Sequence, residues 1–395
     1  MVYPERFSNL PAHAWPRLRA LLDVHEGGGP LIQMTIGEPK HAFPAWVTDE
    51  ITKHAAGFNS YPPNDGSPEL KAAISRWIKR RYGVEMDAAS EVMALNGTRE
   101  GLYNAVIALC PETKAGAQPA ILMPNPFYQV YMIGAISGGN EPVMVNATAE
   151  TGHLPDFSTV SEDVLNRTTA AYICSPANPQ GAVASREYWA NLLTLAEKYD
   201  FYVFADECYS EIYRDTPPPG AIEVAEELGV DRNRVVIFHS LSKRSNLPGL
   251  RSGFVASGPD SIREIKQLRN YAGAPLPLPL QQAAAAVWDD EAHVEESRAL
   301  YQEKFQIADR ILGNIPGYQS PEAGFFLWLP VEDDEDAAVK LWRETGVKVL
   351  PGGYLAQDVP GVENPGKKYI RVALVASKEE TERGLQAIRD CLYPE

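Results

Sequence analysis

Four short apolar runs, each followed by polar or turn-forming residues, set the pattern of the middle of the chain. They are Ala120 to Met123 (AILM), Ala170 to Cys174 (AAYIC), Tyr202 to Ala205 (YVFA) and Val235 to Phe238 (VVIF). Continuous apolar strands separated by helical stretches are typical of a mainly parallel sheet that is buried on both faces. Ligands of such sheets bind beyond the carboxyl ends of the strands. The residues that follow each run are therefore where the pattern predicts chemistry.

Other periodic stretches predict helices around these strands and further strands toward the C-terminus. Apolar residues at helical spacing predict a helix over Pro68 to Tyr82, with its proline in the first turn, and a long helix over roughly Gln281 to Leu312. Pro321 to Pro330 and Tyr369 to Leu374 are predicted strands. The acidic run Glu332 to Asp336 is predicted to lie at the start of a helix and not in a site, because carboxylates there interact favourably with the positive end of the helix macrodipole.

The length of 395 residues predicts two domains, because a single compact core does not grow to this size. We predict an N-terminal arm with part of the small domain over residues 1–39, a large domain over 40–288 and a small C-terminal domain over 289–395. The predicted fold class is α/β, with a mainly parallel sheet in the large domain and a smaller α/β domain beside it.

Composition and charge narrow the function classes. Hydrophobic residues make up 45% and charged residues 22% of the chain, the formal net charge is −16, and no basic run occurs. This balance is that of a globular protein and argues against nucleic acid or an anionic membrane as a partner. No apolar stretch is long enough to span a bilayer, and the first residues lack a signal-peptide core. The four widely spaced cysteines indicate neither a zinc site nor a disulfide framework. We expect a cytoplasmic protein without a metal.

The segment after the fourth run, SLSKRSNLPGLRSG from Ser240 to Gly253, carries the strongest chemical signal. A lysine at the end of a buried strand, Lys243, can form an imine with an aldehyde cofactor. Ser240, Ser242 and Arg251 supply hydroxyl and guanidinium donors for an anion such as a phosphate. Taken alone, the segment is weak evidence, and a solvated loop explains it better.

A carboxylate follows the third run in YVFADECY, Tyr202 to Tyr209. Asp206 is predicted at the edge of a buried sheet, where it needs a cationic or hydrogen-bonding partner. A protonated pyridine nitrogen is such a partner, and the pairing keeps the ring an electron sink. A structural carboxylate bonded to backbone amides, or a metal ligand together with Glu207, are the alternatives.

Two further segments have the character of ligand-binding turns. SPANPQG follows the second run, and its Asn178 is able to donate its amide to a phenolic oxygen, although a plain tight turn explains the segment too. NGTREG, Asn96 to Gly101, is a glycine-led turn into a helix whose free N–H groups suit a phosphate. Alone, it is only a helix start.

In this order and spacing, the four segments resemble those of the class I and II aminotransferases, enzymes of fold type I that use pyridoxal 5′-phosphate (PLP). The likeness extends from IGEP (Ile36 to Pro39) to YIRVAL (Tyr369 to Leu374). The resemblance implies that Lys243 forms a Schiff base with PLP and then acts as general base and acid. It also implies a pairing of Asp206 with the pyridine nitrogen, hydrogen bonds from Tyr209 and Asn178 to the phenolic oxygen, and stacking of Tyr128 on the ring.

The same resemblance implies the anion-binding residues. Phosphate is held by the backbone of Thr98 and Arg99, by Ser240 and by Arg251, while Tyr61 reaches the phosphate of a neighbouring subunit. Arg371 clamps the substrate α-carboxylate, and the backbone of Gly37 approaches it. The expected assembly is therefore a homodimer with shared active sites, and the expected partners are amino acids and 2-oxo acids that react by a ping-pong mechanism.

Within the family, three stretches look most similar to the succinyldiaminopimelate transaminases of bacterial lysine biosynthesis: SLSKRSNLPGLRSGFV, NPQG and YPPNDGSPELKAAI. This predicts transfer between N-succinyl-LL-2,6-diaminopimelate and 2-oxoglutarate, with Arg244 and Arg99 as candidates for the distal carboxylates by position. Aspartate, alanine or aromatic aminotransferases, a C–S β-lyase of the same fold and a PLP-free binding protein are the alternatives. The aromatic cluster of Phe325, Phe326 and Trp328 is predicted to be strand core and not a site for an aromatic substrate.

Overall fold

The computed structural model describes residues 5–8, 10 and 12–394. The helices are α1 Ala14–Leu22, α2 Trp46–Lys53, α3 Pro68–Tyr82, α4 Thr98–Leu109, α5 Gln129–Ser137, α6 Glu162–Arg167, α7 Arg186–Tyr199, α8 Ala221–Leu228, α9 Leu241–Arg244, α10 Pro259–Ala272, α11 Leu278–Asp289, α12 Ala292–Leu312, α13 Asp334–Thr345 and α14 Lys378–Leu392. The strands are β1 Ile32–Gln33, β2 Val92–Leu95, β3 Ala120–Asn125, β4 Glu141–Asn146, β5 Thr168–Cys174, β6 Tyr202–Asp206, β7 Val235–Ser240, β8 Gly253–Ala256, β9 Phe326–Pro330, β10 Val347–Lys348, β11 Leu350–Pro351 and β12 Tyr369–Ala373.

A seven-stranded sheet in the order β2-β8-β7-β6-β5-β3-β4 forms the centre of the larger part of the chain. Only β8 runs against its neighbours, so the predicted mainly parallel sheet is confirmed. The four apolar runs are β3, β5, β6 and β7, and every residue of β3, β5 and β7 is buried. Two apolar clusters, one around Trp77 and Trp288 and the other around Tyr131 and Phe238, pack against it.

The register of the parallel strands brings the predicted site residues to one edge. Cys174 at the end of β5 pairs with Asp206 at the end of β6, and Asp206 pairs with Phe238 of β7. The loop that carries Asn178 and the short helix α9 that carries Lys243 therefore leave the sheet at the same edge as Asp206. This is the carboxyl edge at which ligands of parallel sheets bind.

A three-stranded antiparallel sheet, β11-β12-β9, belongs to a third apolar cluster built mainly from residues 301–391. The N-terminal segment joins this part of the chain, because β1 pairs with β10 and α1 packs against α13. None of the helices in the described ranges combines the length and the apolar character that a membrane crossing requires.

Two predicted elements are wrong in extent. The long helix over Gln281 to Leu312 is two helices, α11 and α12. The chain becomes extended at Asp290, whose carboxylate accepts a hydrogen bond from the backbone N–H of His293 at 3.2 Å and so starts a new helix. The strand predicted over Pro321 to Pro330 begins only at Phe326, since Gly324 has a φ of 80° that strand geometry does not allow.

The other two local predictions are confirmed. Pro68–Tyr82 is one helix, with Ser67 as its N-cap and Gly83 in the left-handed conformation at its end. The acidic run opens α13, where the Asp333 side chain accepts a hydrogen bond from the Asp336 backbone N–H at 2.9 Å. These carboxylates therefore cap a helix, as predicted.

Candidate active site

A cavity of about 390 Å³ lies at the carboxyl edge of the large sheet, facing the small sheet. Eleven of the twelve predicted site residues line it: Gly37, Thr98, Arg99, Tyr128, Asn178, Asp206, Tyr209, Ser240, Lys243, Arg251 and Arg371. The twelfth, Tyr61, is fully exposed and lies outside this cavity. Residues that are as much as 334 positions apart in the chain are thus brought into one pocket.

Lys243 lies in the short helix α9, directly after β7. Its amine donates a hydrogen bond to the carbonyl oxygen of Gly37 and lies 5.4 Å from the ring centre of Phe325 and 5.9 Å from that of Tyr209. Burial lowers the pKa of the Lys243 amine to about 8. An appreciable fraction of the amine is therefore neutral, and hence nucleophilic, near neutral pH.

Asp206 ends β6 with only 4% of its surface exposed. Its Oδ2 accepts a hydrogen bond from the Tyr131 hydroxyl at 2.7 Å, while its Oδ1 is buried and has no partner among the described residues. Burial raises the pKa of the Asp206 carboxyl, against the opposing effect of Tyr131. A buried acceptor without a partner is costly, so this oxygen is suited to a donor that arrives with a ligand.

Donors for an anion gather where α4 begins. Gly97 has a φ of 81°, and a side chain there would overlap the Arg251 guanidinium. Arg251 itself has a φ of 57°, and its guanidinium is held by the carbonyl oxygens of Pro248 at 2.9 Å and Asn96 at 3.1 Å. Among the described residues no carboxylate pairs with it. A guanidinium beside a helix N-terminus favours a phosphate at this position.

Arg371 projects from β12 and is 5% exposed. Its Nη1 donates to Asn178 Oδ1 at 3.0 Å, its Nη2 donates to the Thr35 carbonyl oxygen at 2.7 Å, and its Nε is buried without a partner in the described chain. Burial lowers the pKa of its guanidinium to about 10. A buried guanidinium that has no carboxylate partner favours the binding of an anionic ligand. Because Asn178 contacts Arg371 through its Oδ1, its amide N–H groups remain available as donors to a ligand.

The backbone of Gly37 passes close to this arginine. A side chain at position 37 would overlap the ring of Phe326, over which the Arg371 guanidinium lies at 4.3 Å. Phe326 was predicted only as strand core. It belongs to the third apolar cluster and also lines the cavity, so the same side chain contributes to the core and to the wall of the site. The alternation of β9 alone does not show this.

Sequence reasoning missed several other cavity residues. Tyr131 was detectable as the residue one helical turn after Tyr128, on the same face. His13 and Trp15, from the N-terminal segment, also line the cavity, and no sequence signal placed them there. The sequence does not reveal that α1 returns to the site, because this depends on its packing against α13.

Arg244 is a correction. Position alone made it a candidate for a distal carboxylate, but the structure places it away from the cavity. Its guanidinium is buried, donates to the carbonyl oxygen of Val287 at 2.9 Å and to Glu291 at 2.9 Å, and lies over the ring of Trp288 at 5.0 Å. It lies on the side of α9 that faces α11, because the next residue on a helix points about 100° away from Lys243.

Fold and site together define the class as that of the fold type I, PLP-dependent transferases. The free oxygen of Asp206, the amine of Lys243 and the Arg251 guanidinium beside the α4 N-terminus match the three functional ends of PLP: ring nitrogen, aldehyde and phosphate. No group of His, Cys, Asp and Glu side chains within the described ranges is arranged to hold a metal ion.

The chain belongs to the family of aminotransferases of class I and II, whose family model matches residues 30–388. PLP is the cofactor of this family. Among curated relatives, the LL-diaminopimelate aminotransferase of Desulforudis audaxviator is 30% identical over 403 residues, covering 99% of this chain and 98% of the relative. That of Moorella thermoacetica is 30% identical over 398 residues, covering 98% and 97%.

Solved structures agree with this family. An aminotransferase from Neisseria meningitidis Z2491 superposes with a TM-score of 0.93 at 39% identity, covering 97% of this chain and 98% of that one. The aminotransferase AspB from Helicobacter pylori 26695 has a TM-score of 0.89 at 32% identity, covering 96% and 98%.

Proposed function

We propose that this aminotransferase transfers the amino group between N-succinyl-LL-2,6-diaminopimelate, or its 2-oxo form, and the 2-oxoglutarate and glutamate pair, by a ping-pong mechanism in the diaminopimelate route to lysine. The observation that carries the transaminase assignment is that three groups meet in one cavity: the amine of Lys243, the free oxygen of Asp206 and the Arg371 guanidinium, which has no carboxylate partner among the described residues. The substrate assignment rests on the charges of the same cavity.

Each residue has a defined task. PLP, when bound, supplies an electron sink for the pair of electrons left when the substrate loses its Cα proton. Arg371 binds the α-carboxylate with two N–H groups and so fixes the orientation of the Cα–H bond. The neutral amine of Lys243 would accept the proton that leaves the substrate Cα and would then donate it in the second proton transfer of the reaction. Asp206 would pair with the ring nitrogen and favour its protonated form, which strengthens the electron sink.

The remaining residues hold the cofactor in place. The amide of Asn178 and the hydroxyl of Tyr209 would donate to the phenolic oxygen, and Tyr128 would stack on the ring. The phosphate is bound by the start of α4 at Thr98 and Arg99, together with Ser240 and Arg251.

A third guanidinium is left for a distal carboxylate. Arg99 is exposed at the cavity wall, and its Nε donates to the Tyr128 hydroxyl at 2.8 Å. No carboxylate of the described residues forms an ion pair with it. With Arg251 assigned to phosphate and Arg371 to the α-carboxylate, Arg99 remains for the far end of a long acidic substrate, with Gln129 as a neighbouring amide.

The distal amino group separates the succinylated substrate from free LL-diaminopimelate. Asp206 is the only carboxylate among the described residues that line the cavity, and it is assigned to the ring nitrogen. A free distal ammonium would therefore meet no further carboxylate among the described residues that line the cavity, and nearby Glu38 is already paired with Lys40 at 2.8 Å, whereas a succinyl amide carries no charge there. This favours the succinylated substrate. Free LL-diaminopimelate is the second candidate, because two relatives at 30% identity carry the name LL-diaminopimelate aminotransferase.

We also propose a homodimer with shared active sites. Tyr61 supports this, because its ring is fully exposed in the single chain and the family resemblance assigns it to the phosphate of a neighbouring subunit. In the dimer it would reach the phosphate bound by the other subunit.

A panel of amino donors with 2-oxoglutarate tests the function. We expect kcat/KM for N-succinyl-LL-2,6-diaminopimelate to exceed the values for LL-diaminopimelate, aspartate, alanine and phenylalanine. Higher activity with LL-diaminopimelate would establish the second candidate, and turnover of aspartate alone would reject both. Pyruvate release from cystathionine without any 2-oxo acid would show a β-lyase instead.

A further inference from the structure

Tyr131 is a buried residue of the cavity lining and is hydrogen-bonded to Asp206. We propose that Tyr131 is a positioning residue that holds the Asp206 carboxylate by a hydrogen bond and aims its one free oxygen at the ring nitrogen of PLP. This inference rests on the proposed function, since it assigns a task toward the same cofactor.

The hydrogen bond between the two residues leaves a single acceptor. The Tyr131 hydroxyl donates to Asp206 Oδ2 at 2.7 Å, and both side chains are almost completely buried. Oδ1 is then the one carboxylate oxygen that lacks a partner within the described chain. Because a carboxylate accepts hydrogen bonds at both oxygens, occupying one of them fixes the rotation of the group and determines which oxygen faces the ligand.

The same bond opposes the effect of burial on charge. Burial raises the pKa of the Asp206 carboxyl, and the Tyr131 hydroxyl is the largest of the influences that lower it. Burial also raises the pKa of Tyr131 well above its usual value, so its proton stays on the phenolic oxygen. Tyr131 therefore acts as a donor only, and it stabilises the ionised carboxylate that a protonated ring nitrogen needs.

Packing holds the donor rigidly. The ring of Tyr131 stacks on that of Tyr172 with centres 4.4 Å apart and planes at 10°, and it meets Tyr128 edge-on at 5.7 Å. Tyr172 is itself fixed, because its hydroxyl donates to the carbonyl oxygen of Leu102. Helix α5 thus carries Tyr131 one turn after Tyr128, the residue assigned to stack on the cofactor ring.

The test compares two single-oxygen deletions with two cofactors. Tyr131→Phe removes the donor to Asp206, and Tyr172→Phe is the matched control, since it removes a buried hydroxyl from the stacked neighbour that bonds only to backbone. Each apoenzyme is titrated with PLP and with its deaza analogue, in which carbon replaces the ring nitrogen, and the dissociation constants are measured by absorbance or fluorescence. Thermal unfolding of each apoenzyme records any general loss of stability.

We expect Tyr131→Phe to weaken PLP binding about ten-fold, the effect of one hydrogen bond to a charged group, and to leave binding of the deaza analogue within about two-fold of wild type. Tyr172→Phe should change the two affinities by the same factor. Equal losses with both cofactors in Tyr131→Phe, or no loss with PLP, would overturn the proposal, because a merely structural role does not distinguish nitrogen from carbon. A wild-type protein that binds neither compound would instead reject the proposed function, and this inference with it.

Discussion

Replacing Arg371 with leucine should separate catalysis from stability. The guanidinium is assigned to two charge-assisted hydrogen bonds with the substrate α-carboxylate, each of which contributes about 1.5 to 3 kcal/mol. A loss of about 4 kcal/mol in transition-state stabilisation corresponds to a decrease in kcat/KM of about a thousand-fold. We expect this decrease for every α-amino acid donor, since all of them share the carboxylate.

The apoenzyme should tolerate the same substitution. Burial lowers the pKa of Arg371 to about 10, so folding opposes its charge by about 3 kcal/mol at neutral pH, at about 1.4 kcal/mol per pKa unit. For a base with a lowered pKa, this cost is complete below pH 10 and disappears as the pH rises toward the higher pKa that arginine has in the unfolded chain. Leucine removes the cost but also the hydrogen bonds to Asn178 and Thr35, at about 1 to 2 kcal/mol each. The two effects nearly cancel.

The assay pairs steady-state kinetics with denaturant unfolding of the apoenzyme, and Arg244→Leu is the control. Arg244 is an equally buried arginine, but it is paired with Glu291 and lies outside the cavity. Its loss leaves the carbonyl oxygens of Val287 and Asp290 without their donor, although Glu291 keeps Arg80 at 3.1 Å, and should cost about 3 kcal/mol of stability while kcat/KM stays near wild type. The reasoning is refuted if Arg371→Leu keeps kcat/KM within ten-fold of wild type, or if its apoenzyme loses as much stability as Arg244→Leu does.

Three further outcomes are expected. Lys243→Ala should abolish turnover and the attachment of PLP that mass spectrometry detects after borohydride reduction. In the wild type, the rate of PLP capture by the apoenzyme should rise with pH and level off above about 8, since burial lowers the pKa of the Lys243 amine to about 8. A rate independent of pH between 6 and 9 would contradict the assignment. A mixed dimer, formed by subunit exchange between Tyr61→Ala and Lys243→Ala, should regain activity that neither variant has alone. One of its two sites then has both the lysine of one subunit and the tyrosine of the other. No recovery in a verified heterodimer would show that Tyr61 does not act across subunits. Burial raises the pKa of Asp334, whose carboxylate accepts a hydrogen bond from the Gly353 backbone N–H, to about 6. The ionised Asp334 therefore lowers the stability of the protein as the pH rises from 4 to 6. Asp334→Asn should stabilise the protein against urea by about 1 kcal/mol at pH 7.5 and by less at pH 4, and equal stabilisation at both pH values would refute this.

The local elements that sequence predicted well are those whose cause is local. The helix over Pro68–Tyr82 carries its own cap, its proline and its terminal glycine, and the four apolar runs are strands because continuous apolar residues need burial on both faces. The elements that were wrong depend on single positions: the carboxylate of Asp290 divides one predicted helix into two, and Gly324 shortens a strand. Such positions act through backbone geometry, which the hydrophobic pattern does not record.

For the site, the sequence by itself determined which chemistry is available: a lysine, an aspartate and an arginine that follow strands, in an order that resembles a known family. Only the tertiary structure decided which residues meet. It brought Tyr131 to Asp206, placed the N-terminal segment at the cavity wall and turned Arg244 away from it, although Arg244 adjoins Lys243 in the chain. The physical reason is that contacts across a fold are set by strand register and helix packing between distant segments, whereas adjacency in sequence leaves the direction of a side chain open.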